Sequence, residues 1–193
     1  MSFDKILQFE TALAQFTSAP YAIMTDCCTH AIELCMRYDS VKSCVFTPFT
    51  YLSIPMLMHK LDIQYSYNQQ QWTGEYQFEN TRIWDSARRL EKNMYRPGQM
   101  QCLSFGHTKP LPIGRGGAIL LDDKQAYDTL ICMRYDGRDL NISPWQQQLI
   151  FKVGYHYKPT IEEAERGLEL LPLVDQAPKY FQYPDCRKIT IQD

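Results

Sequence analysis

Two side chains in this sequence are spaced and placed to do chemistry together. Lys109 closes the run Ser104-Phe105-Gly106-His107-Thr108-Lys109, which follows the apolar stretch Met100-Gln101-Cys102-Leu103. After it come the glycine turn Gly114-Arg115-Gly116-Gly117 and a second apolar stretch, Ala118-Ile119-Leu120-Leu121. An amine at the end of a buried strand can form an imine with a carbonyl compound. Asp85 follows Thr81-Arg82-Ile83-Trp84 and so ends another strand, where a carboxylate can hold a protonated ring nitrogen. Each residue also has an ordinary role open to it. Most lysines are solvated surface charges, and Asp85, followed by Ser86-Ala87-Arg88-Arg89, could cap a helix or pair with Arg88 or Arg89.

An imine-forming amine and a ring-nitrogen carboxylate are two of four things that pyridoxal 5'-phosphate asks of a protein; the others are donors for its phosphate and a flat surface for its ring. Thr25-Asp26-Cys27-Cys28-Thr29-His30 precedes the helical stretch Ala31-Ile32-Glu33-Leu34-Cys35-Met36. Free amides at that helix start, with the Thr29 hydroxyl, suit a dianion, although Thr25 or Asp26 could simply cap the helix. Ser104 offers a second hydroxyl. Tyr51, in Thr47-Pro48-Phe49-Thr50-Tyr51, could lie over the ring, or belong to the core as most aromatics do. Cys27-Cys28 with His30 holds metal-type donors, but adjacent cysteines rarely share one ion and no second cluster completes a tetrahedron; no metal is expected.

The elements that must position these groups alternate. Phe3, Ile6, Leu7, Phe9, Leu13 and Phe16 recur at helical spacing. Tyr21-Ala22-Ile23-Met24 and Ser43-Cys44-Val45-Phe46 read as strands, each followed by a helical stretch, the second from Ser53 to Leu61 with Pro55 in its first turn. Asn68-Gln69-Gln70-Gln71 reads as a surface turn. Thr81 to Trp84, Gln101 to Phe105 and Gly117 to Leu121 are further strands. A helix starts at Asp122-Asp123 and runs to about Arg134, and Pro159-Thr160-Ile161-Glu162-Glu163 opens a last one. Such alternation predicts an α/β fold with a mostly parallel sheet flanked by helices.

The chain's 193 residues suit one domain with a sizeable core. Residues 1–171 are expected to form it and 172–193 a polar, proline-marked tail. The net charge of −2 gives no electrostatic case for nucleic acid, and no apolar run reaches the roughly 20 residues that span a bilayer. From the polar, acidic start Met1-Ser2-Phe3-Asp4 no signal peptide is expected. Seven scattered cysteines, with Cys35, Cys44, Cys102 and Cys132 inside apolar segments, read as reduced core thiols. A cytoplasmic protein is expected.

In their order along the chain, Thr47-Pro48-Phe49-Thr50-Tyr51, Asp85-Ser86-Ala87, Ser104 to Lys109, Gly114-Arg115-Gly116-Gly117 and Gly154-Tyr155-His156-Tyr157 resemble the DegT-type sugar aminotransferases, fold type I pyridoxal phosphate enzymes. The resemblance covers about residues 9 to 171. It implies Lys109 as the imine lysine, Asp85 at the pyridinium, Tyr51 stacked on the ring, and Thr29, His30 and Ser104 around the phosphate. His156 would reach the site of a neighbouring subunit in a homodimer. The family's usual Gly-Thr appears here as Cys28-Thr29, Arg88 replaces a Gln or His and would bind the ring oxygen or make an ion pair, Arg115 replaces a glutamate, and His156 an asparagine. The stretch between Leu61 and Thr81 is short for the family, and a shortened member without the small C-terminal domain is expected. The activity implied is amino transfer from an amino donor to a keto-sugar, nucleotide-linked. One alternative is a relative that keeps ligand binding or regulation without turnover. Another is a dehydration in which a histidine replaces the lysine, against which Lys109 weighs.

Overall fold

The structure, a computed structural model, describes residues 4–174 and 181–192; Phe3 of the expected first helix lies outside them. Among the described residues seven strands and five α-helices follow in the order α1 (Asp4–Thr17), β1 (Tyr21–Thr25), α2 (Cys28–Tyr38), β2 (Ser43–Phe46), α3 (Ser53–Lys60), β3 (Gln64–Tyr67), β4 (Tyr76–Gln77), β5 (Ile83–Asp85), β6 (Met100–Ser104), β7 (Gly117–Leu121), α4 (Lys124–Met133) and α5 (Ile161–Leu170). Local chemistry sets several ends. The Asp123 carboxylate accepts from the Ala126 amide at the start of α4, and Thr160 with Glu163 forms a reciprocal capping box at α5.

Five strands form one sheet in the order β1-β7-β6-β5-β4, and β2 pairs with β3 in a second. Only β5–β6 and β2–β3 are parallel; β1–β7, β6–β7 and β4–β5 are antiparallel. The expectation of a mostly parallel sheet is thereby corrected. Parallel neighbours need a long crossover: β4 and β5, joined by the short turn 78–82, return antiparallel, as do β6 and β7 across the turn 105–116, whereas β5 reaches β6 in parallel through the irregular crossover 86–99, which holds no α-helix.

The larger sheet is buried on both faces, and its two-residue period sorts side chains between them. Ile23, Cys102, Ile119 and Leu121 join one core with α2, α3 and α4, through Ile32, Leu57 and Leu130. Met24, Leu103, Ala118 and Leu120 join the other with α1 and α5, through Ile6, Phe9, Leu13 and Ala164. A buried ion pair links three elements on that side: Arg134, just past α4, donates to the Glu10 carboxylate of α1, which also accepts from the Met24 amide of β1 at 2.7 Å. All seven cysteines are free thiols; Cys35, Cys44 and Cys102 are buried as expected, while Cys132 is half-buried. Among the described residues no helix is long and apolar enough to cross a membrane.

Candidate active site

The pairings give β1, β5 and β6 a common direction, so that Thr25, Asp85 and Ser104, their last residues, end on the same rim of the sheet. Between β1 and β6 lies β7, whose Gly117 is opposite both Thr25 and Ser104. A Cβ there would come within 2.5 Å of the Cys27 carbonyl carbon and the Cys28 nitrogen. Glycine at 117 therefore lets the start of α2 close down on the rim. The turn leading to it also needs glycine, since Gly114 and Gly116 hold φ of +117° and +119°.

Asp85 is 4% exposed. Its Oδ1 accepts from the Ala87 amide at 2.9 Å and its Oδ2 from the Tyr76 hydroxyl at 3.0 Å. The Tyr76 oxygen lies 2.6 Å from Thr50 Oγ1. The expected alternative of an ion pair with Arg88 or Arg89 is not realised, because both guanidinium groups leave for other elements. Arg89 pairs with Glu75, and Arg88 donates to the Thr108 carbonyl at 2.8 Å and to Tyr183 Oη at 3.2 Å. Burial pushes the Asp85 carboxyl up from its ordinary value, against the Ala87 amide, the nearby charge of Lys109 and the Tyr76 hydroxyl.

Lys109 lies in the turn after β6, its amide bonded to the Gly106 carbonyl at 2.9 Å. Its Nζ donates to Tyr183 Oη at 2.9 Å, so Lys109 and the buried Arg88 meet on one phenol oxygen. Tyr183 is itself buried and stacks on Trp72, with centroids 5.6 Å apart and planes at 16°. The Trp72 indole donates to the Phe49 carbonyl at 2.7 Å.

At the start of α2, Cys27 is the cap residue, its sulfur accepting from the His30 amide. Thr25 and Asp26, the expected caps, are engaged elsewhere. Thr25 Oγ1 donates to the Cys27 carbonyl at 2.9 Å; the Asp26 carboxylate takes His30 Nδ1 at 2.7 Å and Arg115 Nη2 at 3.0 Å. Thr29 Oγ1 is 2.7 Å from Ser53 Oγ in α3. The His30 ring stacks on Tyr157 at 3.7 Å and 9°. Burial pulls its pKa down, but the bonds to Asp26 and Cys27 and their charges outweigh that and raise it to about 9, so the imidazole is a cation at neutral pH. His30 and Arg115 add positive charge to a helix start whose amides already favour anions. Asp26, Cys27 and His30 place their donor atoms within 4.8 Å of one another, yet these atoms are spent on each other and on Arg115. Burial, with the negative charge of Asp85, pushes the Cys28 thiol well up, which keeps it protonated.

Ser104 is half-buried at the end of β6. Tyr51, just before α3, and His156 are exposed and share none of the contacts around Asp85 and Lys109; His156 Nδ1 lies 3.0 Å from the Asp136 carboxylate. Sequence reasoning missed Tyr76, Trp72, Tyr157 and Tyr183. The four-residue spacing between Asp26, just before the cap, and His30, in the first turn of α2, was a usable signal for their pairing; Tyr183 sits in a tail that offers none.

The model of the DegT/DnrJ/EryC1/StrS aminotransferase family matches residues 1–62 and 87–178. The chain belongs to this family. Residues 63–86, including Asp85, lie between the two matched stretches. A search of the curated proteins found no match. Among solved structures this family member is similar to 3-amino-5-hydroxybenzoic acid synthase, with a TM-score of 0.74 and 16% identity over 89% of this chain and 56% of that one. It is also similar to PseC of Helicobacter pylori, an aminotransferase involved in pseudoaminic acid biosynthesis, with a TM-score of 0.74 and 15% identity over 87% and 57%. A third is a GDP-4-keto-6-deoxymannose-3-dehydratase solved with a trapped PLP-glutamate geminal diamine, with a TM-score of 0.70 and 13% identity over 88% and 61%. These likenesses show the fold. The chain spans less than two thirds of the length of each.

Proposed function

We propose that this family member binds pyridoxal 5'-phosphate and transfers an amino group to a keto-sugar, nucleotide-linked. The observation that carries the proposal is Asp85: a carboxylate at a strand end, almost without solvent and hydrogen-bonded only to neutral donors. A buried charge needs a partner, and a protonated pyridine nitrogen would supply one. The donor set around it fits the rest of the group. Lys109 offers the amine; the first-turn amides of α2, Thr29 and Ser104 offer donors to a phosphate, with His30 and Arg115 as nearby cations.

Bound there, the cofactor would supply an electron-accepting ring for the pair released when a Cα–H bond breaks. Asp85 would keep the ring nitrogen protonated. Lys109 would hold the carbonyl carbon, yield to the amino donor, and carry the proton from one carbon to the other. Arg88, packed under Phe181 with 3.8 Å from its guanidinium carbon to the ring centroid, would stand beside Lys109 as a fixed cation. Tyr51 is proposed to cover the ring. The substrate class is supported by the neighbours, whose names include a keto-deoxysugar dehydratase and a pseudoaminic acid aminotransferase.

A second copy of the chain would complete the site. Leu149 and Ile150 are 93% and 86% exposed, with Phe151 and Val153 open beside them. His156 follows this apolar strip and would reach a neighbour's phosphate. The test is spectroscopic. With pyridoxal 5'-phosphate the protein should absorb at the blue edge of the visible, borohydride should fix the cofactor to Lys109, and Lys109→Ala should abolish the band. An amino donor should bleach it and a keto-sugar restore it. A band that persists in Lys109→Ala would refute the assignment; a ligand-responsive band without turnover would favour a binding module.

A further inference from the structure

Tyr183 touches Lys109 directly. Its oxygen accepts from Lys109 Nζ at 2.9 Å and from Arg88 Nε at 3.2 Å, so one phenol holds two cationic side chains that come from different segments, one after β5 and one after β6. Its ring lies flat on Trp72 and meets Phe181 edge-on, with centroids 4.8 Å apart. The turn that presents it is held independently of Lys109. The Cys186 amide donates to the Pro48 carbonyl at 2.9 Å, its thiol to the Thr50 carbonyl at 3.4 Å, and Asp185 caps the short turn through the Arg187 amide at 3.0 Å.

The anchors therefore decide where the phenol oxygen stands, and the flexible lysine comes to it. Fixing a free lysine side chain costs its rotamer entropy, and a hydrogen bond to a charged group is strong enough to offset that cost. A single well-placed acceptor is enough to choose one place for the amine. We infer that Tyr183 is a positioning residue for Lys109: its oxygen, set by the Trp72 stack and by the backbone of Pro48 and Thr50, fixes the amine and ties it to Arg88 at the rim of β5 and β6. The inference rests on the reading above in one respect, that Lys109 is the reactive amine.

Tyr183→Phe keeps the ring, the stack and the anchors and removes only the acceptor. In ligand-free protein, Lys109 should react with trinitrobenzenesulfonate about ten- to hundredfold faster in the variant, the factor that one charge-assisted hydrogen bond supplies. The exposed Lys42 should react at an unchanged rate, and the melting temperature should fall by no more than a few degrees, the cost of leaving Arg88 Nε without this acceptor. Equal Lys109 rates in both proteins overturn the inference. A second measurement needs no variant. 1,5-Difluoro-2,4-dinitrobenzene loses one fluoride to an amine and the other to a phenol held close by, and in the wild-type protein it should join Lys109 to Tyr183, read as one crosslinked peptide pair. Absence of that pair also overturns the inference. Both readouts are taken without cofactor, so a protein that shows them yet forms no visible band with pyridoxal 5'-phosphate would sink the proposed function and leave the role of Tyr183 standing.

Discussion

Asp85→Asn should make the ligand-free protein more stable while weakening its hold on the cofactor. The carboxylate is buried and bonded to an amide and a phenol, and burial has raised its pKa above the ordinary 3.8. A carboxyl raised in the folded state favours folding below the unfolded value and loses that contribution as pH rises through the folded one, so at neutral pH its charge is a net burden. Asparagine removes the charge and can keep every bond. Its oxygen accepts from the Ala87 amide and its nitrogen donates to Tyr76 Oη, while Tyr76 turns its proton to Thr50, whose oxygen is 2.6 Å away. Relief of one poorly compensated buried polar group is about 1–2 kcal/mol, which for a chain of this size raises the melting temperature by roughly 2–8 °C. Urea denaturation of both proteins at pH 7.5 and near pH 4 measures it. The gain should be full at pH 7.5 and shrink in acid, where wild-type Asp85 takes up its proton. In the same variant the cofactor should bind more weakly and any transamination slow, because a neutral amide holds the ring proton less well. A variant that is less stable at pH 7.5, or whose gain is the same at both pH values, would refute the reasoning.

His30→Gln should reduce stability in a pH-dependent way. The imidazole is raised from 6.5 to about 9, so its contribution is fully present below about pH 6.5 and is lost as pH rises through 9. At 1.36 kcal/mol per unit the bound is about 3 kcal/mol, and screening at its partly open edge brings the expected loss to about 1–2 kcal/mol. Denaturation midpoints of both proteins should converge by about pH 9.5; a constant offset would contradict this. Glu10→Gln leaves Arg134 buried without its carboxylate and should lower unfolding free energy by about 3 kcal/mol, read by urea titration. Light scattering should show a dimer, and His156→Ala should lower its affinity for pyridoxal 5'-phosphate; a monomer that binds cofactor tightly, unaffected by the substitution, would argue against the shared site.

Most elements were legible in the sequence because their patterns are local. The helical spacing of Ile6, Phe9 and Leu13, the Asp123 and Thr160 caps, and the apolar runs at Tyr21, Met100 and Gly117 each carry their signal within a few residues. β3 and β4 were not legible. Gln64-Tyr65-Ser66-Tyr67 is polar enough to pass for an approach to a turn, and Tyr76-Gln77 is a strand of two residues set only by its pairing with β5. Strand direction is not legible in the alternation of element types: β5 and β6 pair in parallel across an irregular stretch, and β6 and β7 pair antiparallel across another, with no α-helix in either connection. At the site, Asp85, Lys109 and the start of α2 could be named from strand ends and a helix start. Tyr76, Trp72 and Tyr183 could not, since their roles come from contacts across the fold, 74 residues apart in the case of Lys109 and Tyr183.

Because β1, β5 and β6 share a direction, the other end of the sheet is free of the candidate groups. The turn from β4 into β5 lies there, and Asn80, at its tip, is exposed with φ +66°. This makes Asn80 the place to graft a peptide or attach a fluorophore to the protein, between Glu79, whose amide is bonded to the Val45 carbonyl, and Thr81, whose hydroxyl is bonded to the Phe78 carbonyl. Exposed loop tips tolerate insertion, and a graft there would be separated from Asp85 by the length of β5 itself. Lys109 and its neighbours could then be interrogated by a reporter that touches none of them.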